Sequence, residues 1–250
     1  MKILVCISEV PDTTSKIKHI NDNKELDKTG IQWIINPWDE LSLTRAIELK
    51  ETPGSKVESI TVVHVGLQDS EPTIRKALAM GADNAIRIDA QPQDAYYVAS
   101  QLAKTIASMD FDIILTGLDS ADFNGSSVGG MLAQQLDMAS ISAVTALNLE
   151  GEKILVNRDV SGGTQTLEVQ PPFLATVQKG IAIDPRIPAM RGIMMARSKP
   201  LEVLEATNEV TPLTEYVSYE VPPPREACRK FPEENAKELA HALHNEAKLI

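Results

Sequence analysis

A loop rich in glycine and serine, residues 117–130, is the part of the sequence best suited to hold an anion. It follows an apolar, strand-like segment and precedes a helical one, so its N–H groups would lie at a helix start. The hydroxyls of Ser126 and Ser127 and the positive end of the helix dipole would add to this site. No lysine follows the glycines, so a monophosphate or pyrophosphate suits the loop better than a reacting nucleoside triphosphate; a simple flexible turn is the alternative.

A second segment with unusual chemistry is Asn-Pro-Trp-Asp-Glu at residues 36–40, just before a predicted helix. Asp39 is predicted to be the N-cap of that helix rather than a general base. On residue type alone, Trp38 is interpreted as core or surface filler. His64 lies inside an apolar strand and is predicted to be a satisfied core histidine. The sequence shows no convincing catalytic constellation and no credible metal site.

Strands and helices alternate over the first 136 residues, which predicts a parallel sheet with helices connecting its strands. The predicted strands are residues 2–7, 59–65, 85–88 and 111–116, and the predicted helices are residues 40–49, 71–80, 95–109 and 127–136. Gly81 is predicted to end the second helix as its C-cap.

The pattern changes after about residue 140. Three short alternating segments, at residues 143–149, 153–158 and 164–169, predict antiparallel hairpins. A proline-punctuated stretch follows, and residues 200–231 predict an extended arm ended by a helix at 232–247. This arm has too little apolar content for a core of its own, so we expect it to wrap on a partner subunit; a frayed tail is the alternative.

Composition limits the class of protein. With 250 residues, 43% of them hydrophobic and 24% charged, the chain has the profile of a globular protein. Its formal net charge of −11 argues against nucleic acid as a partner. The two cysteines, Cys6 and Cys228, are too far apart for a C-x-x-C motif, which argues against a disulfide framework. No apolar run is long enough to span a bilayer and no signal-peptide pattern is present, so we expect a cytoplasmic, non-membrane-spanning protein.

The order of these segments resembles one family, the beta subunit of electron transfer flavoprotein, over about residues 1–206. The segments that carry the resemblance are residues 2–7, 36–40, 73–83, 117–130, 159–167 and 190–200. The fold implied is α/β, with a doubly wound, mostly parallel sheet of the Rossmann-like or adenine nucleotide alpha hydrolase-like type, an added antiparallel hairpin region and an extended C-terminal arm. Residues 1–206, including a recognition loop at 184–199, would form the nucleotide-binding domain, and residues 207–250 would contact the alpha subunit.

The resemblance also implies that the chain binds AMP structurally and forms one wall beside an FAD held mostly by the alpha subunit. The positions matching the family's AMP-contacting segments are Cys6, Asn36, Asp39, Val65, Gly117, Asp122, Asn124, Gly125, Ser126, Ser127 and Val128. Thr13 and Trp38 match positions near the flavin, where the flat ring of Trp38 suits an isoalloxazine. The residues implied in docking partner proteins are Met190, as an apolar anchor, with Arg191, Arg197 and Lys199.

By this resemblance the chain is an electron-carrier subunit without catalytic residues of its own. Electrons would pass from acyl-CoA dehydrogenases of fatty acid β-oxidation to an electron transfer flavoprotein–quinone oxidoreductase, with the cofactor carrying the chemistry. Two alternatives stay open. In a bifurcating member of the family, a second FAD would replace AMP and accept hydride from NADH. In a different class, a stand-alone nucleotide-binding stress or signalling module would need no alpha subunit.

Overall fold

The computed structural model of the chain describes residues 1–225 and 227–249. Glu226 and Ile250, which belong to the predicted arm, lie outside the described residues. The strands are β1 Lys2–Cys6, β2 Glu9–Pro11, β3 His19–Ile20, β4 Glu25–Leu26, β5 Trp33–Ile35, β6 Ser59–Val65, β7 Asn84–Asp89, β8 Ile113–Gly117, β9 Ala139–Glu150, β10 Lys153–Val160, β11 Gly163–Val169, β12 Phe173–Val177 and β13 Leu201–Glu205. The α-helices are α1 Pro37–Glu51, α2 Glu71–Met80, α3 Ala95–Ile106, α4 Val128–Gln135, α5 Met190–Ala196 and α6 Ala236–His241. Shorter helical turns are Gln68–Ser70, Glu233–Asn235 and Ala242–Glu246.

The main sheet has nine strands in the order β11-β10-β9-β12-β8-β1-β6-β7-β13. The seven strands from β9 to β13 in that order run parallel, and β9, β10 and β11 pair antiparallel. After β1 the chain builds outward through β6 and β7, then returns to the other side of β1 with β8. This reversal opens a crevice between the carboxyl ends of β1 and β8, where open α/β sheets bind their ligands.

Helices cover both faces of this sheet. Along β1, Ile3 and Val5 pack into the core beneath α1 and α2, while Leu4 and Cys6 pack into the core beneath α3 and α4. This alternation follows from the two-residue period of a strand. Ala196 places α5 on the same face as α1 and α2. The predicted doubly wound α/β fold is therefore confirmed.

The predicted antiparallel hairpins are also confirmed, as β9, β10 and β11. The sequence analysis missed β12, a fully buried five-residue run inserted between β8 and β9. The prediction that an extended arm begins near residue 200 is wrong, because β13 pairs with β7 as the edge of the sheet, Leu201 opposite Ala85. The proline-bounded region before it contains a short helix, α5.

The chain after β13 crosses the carboxyl-end side of its own domain before it reaches the final helix. Gln101 exchanges two hydrogen bonds of 2.9 Å with the backbone of Thr207. Asp94, the N-cap of α3, accepts further bonds from the backbone N–H groups of Leu213 and Thr214, at 2.6 and 2.8 Å. Residues 207–219 are thus attached to their own chain. Among the described residues, no helix is long and apolar enough to cross a membrane.

Candidate functional site

Asp39 holds together the three segments that form the crevice. Its Oδ2 accepts hydrogen bonds from the N–H and hydroxyl of Ser8, at 2.8 and 2.7 Å, and its Oδ1 accepts one from the N–H of Gly117, at 2.8 Å. Burial raises the pKa of this carboxyl to about 6, against the lowering effect of these bonds. The prediction that Asp39 caps α1 is wrong: the helix begins three residues earlier than predicted, at Pro37, with Asn36 at the N-cap position.

Asn36 braces the nucleotide loop, defined here as residues 117–127. Its side-chain Nδ2 donates to the carbonyl oxygen of Asp119, at 2.8 Å, and its Oδ1 accepts from the N–H of Ala121, at 3.1 Å. Because both ends of the buried amide are bonded to the loop, Asn36 acts by holding backbone in place. The resemblance had placed Asn36 among the positions that contact AMP.

Two glycines allow a close approach of backbone at the site. A Cβ on Gly117 would lie 2.5 Å from Asp39 Oδ1 and 2.7 Å from the Cβ of Trp38. A Cβ on Gly129 would lie 2.5 Å from Thr176 Cγ2 and 2.7 Å from Thr116 Oγ1. Neither position accepts a side chain without a shift of its neighbours. Glycine at both positions therefore lets α1 and α4 approach the end of β8.

The tip of the nucleotide loop is exposed and conformationally unusual. Asn124 and Ser126 have φ angles of 51° and 48°, in the left-handed region that few non-glycine residues adopt. The hydroxyl of Ser127 donates to the carbonyl oxygen of Gly125, at 2.6 Å, and does not cap α4. Since the first-turn N–H groups of a helix have no partner within it, those of α4 point toward this loop. The arrangement suits an anionic group.

The inner wall of the crevice is apolar. Cys6 and Val65, at the carboxyl ends of β1 and β6, are both buried in the core beneath α3 and α4. Burial, with a smaller effect of the nearby Asp39 carboxylate, raises the pKa of the Cys6 thiol well above its usual range, so the thiol stays neutral. His64 is a satisfied core histidine, as predicted: its Nδ1 donates to the carbonyl oxygen of Ile7, at 2.9 Å.

The two residues predicted to lie near a flavin are both on the carboxyl-end side of the sheet. Thr13 is exposed in the turn after β2, and Trp38 is half-buried in the first turn of α1. Strand β2 pairs with β5, which leads directly into α1. Trp38 also lies against Gly117, so it borders the same crevice as the nucleotide loop.

The four predicted docking residues occupy α5 and its flanks, on another part of the surface. Met190 is 75% exposed at the first position of α5, and Arg191 and Arg197 are exposed. Lys199 is different, because its ammonium donates to the carbonyl oxygens of Leu78 and Ala82, at 2.9 and 2.5 Å. Burial lowers the pKa of Lys199. This lysine caps the end of α2 and is not free at the surface.

Comparison of the sequence with known proteins gives a family match. The protein-family model described as "Electron transfer flavoprotein domain" matches residues 25–209. The electron transfer flavoprotein subunit beta of Bacillus subtilis (strain 168) is 35% identical over 263 residues, covering 100% of both chains. This chain belongs to the electron transfer flavoprotein beta-subunit family. The human member of the family is 31% identical over 91% of each chain. Another relative, 30% identical over 82% of this chain and 78% of its own, is the acryloyl-CoA reductase electron transfer subunit gamma of Anaerotignum propionicum.

The structure thus brings most of the predicted nucleotide residues to one crevice. It also adds Ser8, which the sequence analysis did not single out, as a bonding partner of Asp39. Among the sequence signals, the one that could have corrected the start of α1 is Pro37, because proline is favoured at the first position of a helix. Ser8 carries no comparable local signal, since its partner lies 31 residues away.

Proposed function

We propose that the chain is the beta subunit of a heterodimeric electron transfer flavoprotein and binds AMP in the crevice between β1 and β8. The observation that supports this most strongly is the nucleotide loop, fixed by Asn36 and Asp39 at the start of α4. The names of the relatives add a flavin and an alpha subunit to the proposal.

The residues present fit a nucleoside monophosphate. In the proposed complex, the phosphate lies at the start of α4, beside Ser126, Ser127 and the first N–H groups of the helix. The apolar wall of Cys6 and Val65 takes the uncharged part of the nucleotide. No lysine or arginine stands within the nucleotide loop to engage a further phosphate, which favours the monophosphate over ATP.

The flavin fits the rim of the same crevice, on the side of Trp38. When bound, FAD supplies the electron-transfer chemistry of the heterodimer, and the alpha subunit holds most of it. This chain contributes the half-buried indole of Trp38 and the exposed turn that carries Thr13. Their role is to orient the ring and to exclude water from one side of it. The chain needs no acid–base residues for this task.

Partner proteins are proposed to dock on α5 and the loop before it. Met190 and Met194 are 75% and 71% exposed, so two flexible thioether side chains face solvent on one short helix. The loop before α5 is tied to the end of α1, since the guanidinium of Arg186 forms two bonds with Glu51, at 2.6 and 2.8 Å. We propose acyl-CoA dehydrogenases as electron donors and a quinone oxidoreductase as acceptor, in the cytoplasm.

Substitution of Ser127 tests the nucleotide assignment. Ser127→Glu places a negative charge where the phosphate is proposed to lie, so it should reduce the AMP content of the purified heterodimer severalfold. The matched control is Ser108→Glu, at an exposed serine between α3 and β8 on the amino-end side of the sheet. The AMP released on denaturation is measured by chromatography. Equal AMP content in both variants and the parent protein would refute the assignment.

A further inference from the structure

A row of four stacked aromatic rings joins the nucleotide loop to the chain after β13. The ring of Phe123, in the loop, stacks on Tyr216 at a centroid distance of 5.3 Å. Tyr216 is followed at 5.8 Å by Tyr219, and Tyr219 stacks on His19 at 4.9 Å with the planes 4° apart. His19 belongs to the small hairpin of β3 and β4. The row therefore links three segments that are distant in sequence.

Tyr216 is held on both sides, independently of the nucleotide loop. Before it, the Asp94 carboxylate accepts bonds from the N–H groups of Leu213 and Thr214. After it, the N–H of Tyr219 donates to the carbonyl oxygen of Asn23, at 2.7 Å. The short segment between these attachments presents the ring of Tyr216 to Phe123 from a fixed position.

The nucleotide loop needs such support on its outer side. Asn36 holds the loop only from within, at Asp119 and Ala121. Beyond that point Phe123 is 55% exposed, and the next residues include the left-handed Asn124 and Ser126. A strained, exposed loop remains in one conformation only where neighbouring structure supports it. Phe123 receives that support from Tyr216.

We propose that Tyr216 is a positioning residue of the nucleotide site: through its stack on Phe123 it holds the nucleotide loop in the conformation that binds the phosphate. The inference rests on the proposed function for the identity of the ligand, and on the aromatic row for the mechanism. The segment 207–219 then completes the nucleotide site of its own chain, whereas the proposal from sequence assigned the whole arm to the alpha subunit.

The test compares AMP affinity in the heterodimer after removal of bound nucleotide, by calorimetric titration with AMP. Tyr216→Ala should weaken binding about three- to tenfold, the range expected for an aromatic pair. Tyr216→Phe keeps the stack and should bind AMP as the parent does. Tyr96→Ala, at an exposed tyrosine in the first turn of α3, is the matched control and should also leave affinity unchanged. Parental affinity in Tyr216→Ala, or an equal loss in Tyr216→Phe, would overturn the proposal.

A double-mutant cycle with Phe123→Leu separates a shared contact from two independent effects. If the stack carries the effect, the double variant with Tyr216→Ala should bind AMP no more weakly than the weaker-binding of the two single variants. Fully additive losses of binding free energy would contradict the proposal.

Hydrogen exchange in nucleotide-free protein gives a readout that needs no ligand. Amides of residues 120–127 should exchange faster in Tyr216→Ala than in Tyr216→Phe, and equal rates would overturn the inference. A parent protein that binds no AMP refutes the proposed function alone, and the exchange comparison still decides the role of Tyr216.

Discussion

Replacing Gly117 by alanine is expected to damage both the fold and the nucleotide site. The new Cβ would lie 2.5 Å from Asp39 Oδ1 and 2.7 Å from Trp38 Cβ, against 3.4–4 Å for ordinary contact. Relief requires β8 and α1 to move apart by about 1 Å, which strains the 2.8 Å bond from Gly117 N–H to Asp39. Overpacking costs about 1–3 kcal/mol, and a lost bond to a buried carboxylate about 1.5–3 kcal/mol. The movement that relieves the overpacking is the one that weakens the hydrogen bond, so the two costs do not add in full. We therefore expect Gly117→Ala to lower the unfolding free energy by about 2–4 kcal/mol.

Gly130→Ala is the matched control for this experiment. It makes the same chemical change 13 positions away, inside α4, where no atom lies within 4 Å of the new Cβ. Alanine in a helix interior is favoured over glycine by about 0.5–1 kcal/mol, so this variant should be slightly more stable than the parent. Urea unfolding of the full chain, read as the midpoint and slope, measures both free energies. A Gly117→Ala protein as stable as the parent would refute the close approach of α1 to β8.

Three further predictions concern other parts of the molecule. The raised pKa of Asp39, about 6 in the folded state against an ordinary 3.8, means that its ionisation destabilises the fold as the pH rises from 4 to 6. The unfolding free energy of the parent relative to Asp39→Asn should therefore fall by about 2 kcal/mol across that interval, and a flat difference would contradict the assignment. Met190→Ala should slow flavin reduction by an acyl-CoA dehydrogenase about thirtyfold at subsaturating concentration, while FAD content and reduction by dithionite stay unchanged; parental stopped-flow rates would argue against docking at α5. Removal of residues 221–250 should weaken association with the alpha subunit yet leave AMP affinity intact. An unaltered size-exclusion profile of the heterodimer at low concentration would show that this segment is not needed for association.

Much of the fold could be predicted because the alternation of buried strands with amphipathic helices is a local signal. Helix α2 shows this well, since Gly81 ends it with a φ of 148°, as its position in the sequence predicts. Strand β12 could not be recognised, because a short strand buried on both faces has no polar alternation and resembles any apolar run. Strand β13 was missed because its exposed edge residues look like part of an irregular arm.

The candidate site was predictable in its location but not in its internal bonding. The small residues of the nucleotide loop and its place between strand and helix were sufficient to locate it. The roles of Asn36 and Asp39 depend on contacts across 83 and 78 residues of sequence, and only the tertiary structure brings those partners together. The same holds for Tyr216, whose partner Phe123 is 93 positions away.

The most direct test of the central claim is to identify the nucleotides that the heterodimer carries. The full chain is co-expressed with a candidate alpha subunit, the complex is purified, and the nucleotides released on denaturation are separated and quantified by chromatography. The account predicts one AMP and one FAD per heterodimer. Two FAD and no AMP would assign the crevice between β1 and β8 to a second flavin and contradict the account, as would a colourless chain that forms no complex with the alpha subunit.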